Sequence, residues 1–357
     1  VYMTEQAYFL EKDYIEKINE QATTWKAGVN FDPKTPKEQM LRLLGSKGVQ
    51  IPSKINHTMY KSEDENYDNL FGRIPKKFDA RKKWKKCKTI GTVRDQGNCG
   101  SCWAFATSSA FADRLCVASK GDFNQLLSAE ELTFCCNSCG YGCNGGYPIK
   151  AWERFSVQGL VTGGDYKSGV GCEPYKVPPC PYDESGHNTC SGKPMEPNHK
   201  CTKECYGNQD LDFDKDHRYS MVSLDQWFSN WVPRHTDVPS KLFCSSKKAR
   251  DSYYLTYNSI QKDVLTYGPI EASFDIYDDF YSYKSGVYVR TKTASYLGGH
   301  AVKLIGWGEE QGVPYWLMVN SWNEDWGDKG LFKIRRGTNE CGIDNSTTGG
   351  VPLKNQV

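Results

Sequence analysis

Cysteine placement constrains this chain more than any other feature of its sequence: of 15 cysteines, 13 fall between Cys87 and Cys205. In an oxidising compartment such a cluster forms disulfides that staple loops; in a reducing one it remains as thiols or binds metal. The pairs Cys99-x-x-Cys102, Cys136-x-x-Cys139 and Cys201-x-x-x-Cys205 also have metal-like spacing, but a zinc site needs four ligands converging with tetrahedral geometry. The disulfide reading is preferred, and neither a metal nor a cofactor is expected. Because the count is odd, at least one thiol is left over. That thiol is the first pointer to chemistry.

Bulk properties remove several other classes. A chain of 357 residues suits two or three domains at about 150 residues each. Hydrophobic residues at 38% and charged residues at 25% argue against a disordered tail. Lys and Arg total 45 against 43 Asp and Glu, a formal charge of +2, without the basic excess of a nucleic-acid protein. No apolar run approaches the roughly 18–20 residues of a membrane span. Val1 is not an initiator Met and no apolar stretch precedes Glu11–Glu20, so the chain reads as starting after signal removal, or as a fragment.

Along the chain, residues 1–46 read as helical, with Ala7, Leu10, Tyr14, Ile15 and Ile18 at helical spacing. Residues 53–72 read as a polar linker, and the composition shifts at Ile74-Pro75. Residues 102–119 lack Gly and Pro and read as a helix; residues 140–210 read as loops held by disulfides. Beyond Asp251, the segments 270–276, 286–290, 301–307, 315–319 and 330–334 read as short strands bounded by Gly or Asn.

The block Gln96-Gly97-Asn98-Cys99-Gly100-Ser101-Cys102-Trp103 places Cys102 at the start of the expected helix. A helix N-terminus offers free N–H groups and partial positive charge, both of which favour a thiolate. Competing readings make Cys99 and Cys102 a redox pair or put both into structural disulfides; the redox reading wants a βαβ neighbourhood that this sequence lacks. A nucleophilic thiolate needs a proton partner that later protonates the leaving amine. His300, in Gly298-Gly299-His300-Ala301, is the candidate, and the Asn320-Ser321-Trp322 block supplies an amide to fix its tautomer and an indole to shield the bond. His57, His187, His199, His217 and His235 lie in loop-like or linker sequence without such a block.

The blocks Gln96–Phe105, Gly298–Gly308 and Asn320–Gly327 resemble those of the papain-like cysteine peptidases, specifically of the cathepsin B kind. Cys143-Asn144-Gly145-Gly146-Tyr147-Pro148 is similar to the family's substrate groove, and residues 23–31 to its propeptide. The resemblance implies an α+β fold of two lobes, one helical and one a β-barrel, with the active site between them. Its divisions would be an inhibitory propeptide at 1–73, a Cys-rich helical lobe at 74–215 and a β lobe at 216–357. It further implies Cys102 as nucleophile, His300 as acid/base, Asn320 as its orienter, and the Gln96 amide with the Cys102 N–H as oxyanion hole. Gly100, Trp103, Gly145, Gly146, Tyr147, Pro148, Ala301, Trp322 and Ser346 would line the substrate groove. Carried from the family, the disulfides would be 87–116, 99–143, 135–201, 136–139, 172–205 and 180–190. The implied partners are peptide and protein substrates, cystatin-type inhibitors and the chain's own propeptide, the enzyme being a monomer in a lysosome or outside the cell.

Three departures qualify that resemblance. His300 lies 198 residues beyond Cys102, against roughly 130–150 in the papain pattern. Part of the excess fits an occluding loop between Cys172 and Cys205, but after Cys180 stand Pro181, Tyr182 and Asp183 where the family carries two His that hold a substrate's terminal carboxylate. Asp183 would repel that group, and Tyr182 leaves at best a neutral tie to Asp95 of Arg94-Asp95-Gln96. Weak dipeptidyl carboxypeptidase activity and a looser loop between Cys180 and Cys190 are therefore expected. In the S2 pocket Ser346 replaces the family's acidic residue, so apolar or aromatic side chains are expected over Arg. Residues 219–250, with Trp227, Trp231 and Cys244, have no family counterpart. The sequons at Asn56 and Asn345 are candidate glycan acceptors. The alternative reading, a catalytically weakened binding or regulatory protein, has the intact Cys102, His300, Asn320 and Gln96 against it.

Overall fold

A computed structural model describes residues 5–47, 74–181, 189–220, 253–255 and 257–352. The expected linker, nearly all of the 219–250 segment with Cys244, the Asn56 sequon, and Tyr182, Asp183 and His187 lie outside the described residues.

The long helix α4 (Cys102–Ala118) is the axis of the first lobe. Apart from Asp113 and Arg114 it is apolar or small on every face, and it is buried from Cys102 through Cys116, the pattern of a helix enclosed by protein. α5 (Ala129–Cys135) and α6 (Pro148–Val157) pack beside it, with Trp103, Phe111, Leu132, Trp152 and Phe155 in one core. α5 begins where the Ser128 hydroxyl accepts from the Glu131 N–H at 2.9 Å, a side-chain cap. α6 corrects the all-loop expectation for 140–210. Pro148 occupies its first turn, where a missing N–H costs nothing, and Ala151, Trp152 and Phe155 form its buried stripe.

Among the described residues, the second lobe forms a nine-stranded sheet in the order β1-β5-β8-β7-β6-β4-β9-β3, with β2 on β6. Its strands are β1 (Trp25–Ala27), β2 (Phe78–Asp79), β3 (Tyr253–Leu255), β4 (Ile270–Tyr277), β5 (Tyr283–Tyr288), β6 (Tyr296–Glu310), β7 (Val313–Val319), β8 (Leu331–Arg335) and β9 (Thr347–Gly349). Pairing is antiparallel except between β5 and β8. The long central strands β4 and β6 carry the inward residues of the sheet's core.

Among the described residues, two buried ion pairs join the lobes. On α4, Asp113 meets Lys303 of β6 at 2.8 Å, and Arg114 pairs with Asp263 on α7 (Tyr257–Tyr267). Arg114 also donates to the carbonyls of Pro269 and Gly350, each at 2.8 Å. Removing one partner of such a pair would leave an uncompensated buried charge, so the register between helix and sheet is well specified.

The N-terminal segment is less helical than its spacing suggests. It forms α1 (Lys12–Gln21), β1 and α2 (Lys37–Arg42), separated by irregular chain, with α3 (Ala80–Lys83) following beyond it. β1 pairs with β5, so the segment extends the sheet of the second lobe. Phe9, Ile18, Trp25, Phe31 and Met40 are buried in that lobe's core. Phe9 stacks on Tyr281 with centroids 5.3 Å apart. Further out, the Tyr8 and Tyr14 hydroxyls donate to the two oxygens of Asp278 at 2.6 and 2.5 Å.

Candidate active site

Cys102 stands at the N-terminus of α4 with a free, fully buried thiol. Ser101 does not cap the helix; its hydroxyl instead bonds the Tyr175 phenol at 2.8 Å. Across the lobe boundary the sulfur packs against Ala301, the residue after His300 on β6. Its neighbour Cys99 is bonded to Cys143, so the two do not form a redox pair. The remaining bonds are 87–116, 135–201, 136–139, 172–205 and 180–190. Among the described residues Cys341 is the other free thiol.

His300 sits in the middle of the sheet, and its Nε2 bonds the Asn320 side-chain oxygen at 2.7 Å. That same oxygen accepts from the Ser321 N–H at 2.8 Å, which fixes the amide as acceptor. The Trp322 ring lies 4.6 Å from the imidazole, and Tyr281 stacks on Trp322's other neighbourhood at 5.2 Å. The His300–Asn320 bond is thus walled off from water by aromatic surface. Nδ1 makes no hydrogen bond, although the Leu43 carbonyl faces the ring and favours its protonated form.

Gln96 is held by Ser321: its N–H donates to the Ser321 carbonyl at 2.9 Å, and its side-chain oxygen accepts the Ser321 hydroxyl at 2.8 Å. This leaves the Gln96 amide nitrogen facing the groove, where it donates to the Leu43 carbonyl at 3.1 Å and to Cys99 at 2.7 Å.

The groove is filled by residues 43–47. The Gly45 N–H donates to the Cys102 sulfur at 3.2 Å, and the Gly146 N–H donates to the Gly45 carbonyl at 2.8 Å. Lys47 donates back to Gly146 at 2.9 Å and Ser46 to Gly299 at 3.1 Å. Ser46 therefore pairs with Gly146 in the parallel sense. Two glycines make the approach possible. A Cβ on Gly45 would lie 1.8 Å from the Gly100 carbonyl oxygen, and one on Gly146 would lie 2.5 Å from the Trp103 ring. Trp103 and Pro148 are buried in the helical lobe beneath the groove, Gly145 is buried beside Gly146 and Tyr147 is half-buried. Ser346 accepts the Ser273 N–H on β4 at 2.8 Å, and the adjacent Asn345 is exposed.

Burial sets the charge state of both groups. Desolvation pushes the Cys102 thiol up to about 11, against the pull of the Ala301, Gly45 and Trp103 N–H groups. Desolvation likewise pushes the His300 imidazole down to about 4, against its bond to Asn320 and the facing Leu43 carbonyl. In this covered form both groups are neutral at pH 7.

At the loop between Cys180 and Cys190, Asp95 accepts from the Cys180 and Gly97 N–H groups at 3.0 and 2.8 Å and from the Asn323 amide at 3.1 Å. Its tie to the loop is a backbone bond that sequence does not reveal. Gln39 of α2 grips the far side, donating to Cys190 at 2.7 Å and accepting from Gly192 at 2.9 Å. Two histidines without a partner block beside them in sequence, His199 and His217, find carboxylate partners in the fold. His199 bridges Glu130 at 2.7 Å and Glu196 at 3.1 Å, and His217 meets Glu131 at 3.4 Å. All three carboxylates are distant in sequence or unremarkable in it; the carboxylates raise the pKa of both rings.

The papain family cysteine protease model matches residues 74–351, and the propeptide model of the same family matches residues 10–50. The chain belongs to the papain family. It is 41% identical to cathepsin B-like cysteine proteinase 5 of Caenorhabditis elegans over 95% of this chain and 89% of that one. It is 37% identical to a cathepsin B-like cysteine proteinase of Schistosoma japonicum, over 96% and 91% respectively. The structure of procathepsin B S9 from Trypanosoma congolense superposes with a TM-score of 0.69 at 28% identity, covering 97% of this chain and 99% of that one. The fold is therefore the papain-like α+β fold, and the chain is a cathepsin B-like cysteine protease carrying its propeptide.

Proposed function

We propose that this zymogen yields a cysteine endopeptidase in which Cys102 attacks the scissile carbonyl and His300 moves the proton. One observation carries the reading: residues 43–45 place an N–H on the Cys102 sulfur and a carbonyl on the Gln96 amide at once. The groove thus binds peptide backbone where nucleophile and oxyanion donor converge. The proposed divisions are a propeptide at 1–73, a helical lobe at 74–215 and a β lobe at 216–357.

In the open enzyme the thiol proton passes to His300, giving a thiolate–imidazolium pair steadied by the N-terminus of α4. The sulfur adds to the carbonyl carbon, and the Gln96 amide with the Cys102 N–H receives the developing negative charge. His300 then protonates the leaving amine as the C–N bond breaks, which leaves a thioester. With His300 as base, water hydrolyses that thioester and restores the thiol. Asn320 keeps the ring oriented throughout. Moving one proton between Cys102 and His300 changes no net charge, so this pair supplies no acid trigger for propeptide release while one proton is shared in both states. The product acts on peptides and proteins as a monomer in a lysosome or outside the cell, and cystatin-type proteins would compete for the groove.

Exopeptidase activity should be weak, because the residues after Cys180 lack a carboxylate-binding His pair. After acid processing, quenched peptides with an amidated C-terminus are expected to be cleaved at least as fast as the same peptides with a free one. Faster release of C-terminal dipeptides from the free peptides would contradict this. On dipeptide amides the same preparation should favour Phe-Arg over Arg-Arg.

A further inference from the structure

Beneath the groove lies a polar chain that catalysis does not use. Ser46 of the propeptide, held to Gly299 by its own N–H and to Gly146 by the backbone bonds of Gly45 and Lys47, places its hydroxyl 2.9 Å from the hydroxyl of Ser273 on β4. The Ser273 hydroxyl donates to Glu271 at 2.6 Å, and the Thr348 hydroxyl of β9 donates to the other Glu271 oxygen. Ser273 is also tied by its N–H to Ser346, the position where an acidic pocket residue is replaced. Glu271 is fully buried. Its register partner on β6 is Lys303, but that ammonium is bonded to Asp113 and to the Thr89 carbonyl.

We infer that Ser273, held by Glu271, is a specificity-determining residue that selects an uncharged hydrogen-bond donor, a hydroxyl above all, in the pocket Ser46 now occupies. The inference rests on the peptidase reading above, with that pocket receiving the substrate's P2 side chain. The direction of donation decides the chemistry. Because the Ser273 proton goes to Glu271, the Ser273 oxygen is left to accept, and the occupant must donate. A buried acceptor left without a donor is costly, so a methyl in place of the hydroxyl is penalised twice, by the lost bond and by the desolvated oxygen. A cation gains little, since both Glu271 oxygens are already engaged, one by Ser273 and the other by Thr348. Glu271 acts through Ser273, as a positioning residue. The propeptide supplies a ligand of the inferred kind in Ser46.

Threonine and valine differ by one hydroxyl for methyl at nearly equal volume, so they isolate this contact. On processed enzyme, titrated by an epoxide inhibitor to count active centres, we expect Thr-Arg amide to exceed Val-Arg amide in kcat/KM by about threefold to tenfold. Ser273→Ala should bring that ratio to one or below. Glu271→Gln, which keeps an acceptor, should retain the preference, and Glu271→Ala should lose it. Val equal to or better than Thr on the wild-type enzyme overturns the inference without any variant, as does a Thr preference that survives in an active Ser273→Ala enzyme; either leaves the peptidase reading standing. No hydrolysis of any dipeptide amide by wild-type enzyme would overturn that reading and the inference with it.

Discussion

Cys102→Ala, processed in trans by wild-type enzyme, is expected to lose on the order of 10⁶-fold in kcat on a fluorogenic peptide amide. The sulfur supplies the bond-forming electrons, and the other free thiol among the described residues, Cys341, lies on the turn Glu340–Asn345 with its thiol pushed up by burial. His300→Ala should cost a similar factor. The double variant should be little worse than either single one, because nucleophile and base act as a unit and their losses do not add. The six disulfides among the described residues do not involve Cys102, so mass spectrometry of the variant should still find them. A Cys102→Ala enzyme retaining more than about 1% of wild-type kcat would remove the nucleophile assignment.

The second large effect concerns latency. A Gly45→Val proenzyme should have its active centre labelled by an epoxide inhibitor about 10² to 10³ times faster than wild-type proenzyme at neutral pH. A side chain at Gly45 would enter the Gly100 carbonyl, which is backbone and not free to swing away. The strand must lift, which loses the bonds from Gly45 to Cys102, from Gly146 to Gly45 and from Lys47 to Gly146. Three such bonds at about 1 kcal/mol each, with overpacking of ~1 kcal/mol or more, account for that factor. The anchors on the β lobe, Phe9 on Tyr281 and the two tyrosines on Asp278, remain, so the propeptide should stay bound while its inhibitory strand is displaced. Equal labelling rates in the two proenzymes would mean that the groove is closed by something other than residues 43–47.

How much of this was readable beforehand depends on the range of each interaction. The nucleophile block, the helix it opens and the Asn320-Ser321-Trp322 block are contiguous in sequence, and each carries its own spacing. The central strands also announce themselves, since runs such as Ile270–Tyr277 alternate apolar with polar residues. α6 was hidden because its opening Pro148 and the neighbouring glycines resemble loop sequence. β1 has three residues, too few for any periodicity, and its partner β5 lies some 260 residues away. The partners of His199 and His217 come from α5, whose Glu130 and Glu131 look like ordinary first-turn acids. Glu271 and Ser273 sit inside a strand whose pattern reads as plain core, and only the fold brings Ser46 and Thr348 to them. Contacts made across the chain by single side chains leave no local pattern to detect.

The most direct test of the account is the pH dependence of Cys102 alkylation by iodoacetamide in the proenzyme and in the processed enzyme. In the proenzyme, with the thiol near 11, the thiolate fraction at pH 7 is about 10⁻⁴, and alkylation should rise steadily with pH up to that value. In the processed enzyme, with the groove open and the imidazolium beside it, alkylation should already be at its plateau below pH 7. Superimposable profiles, or a processed enzyme whose Cys102 titrates like a free thiol near about 8.5, would contradict the thiolate–imidazolium pair on which the mechanism depends.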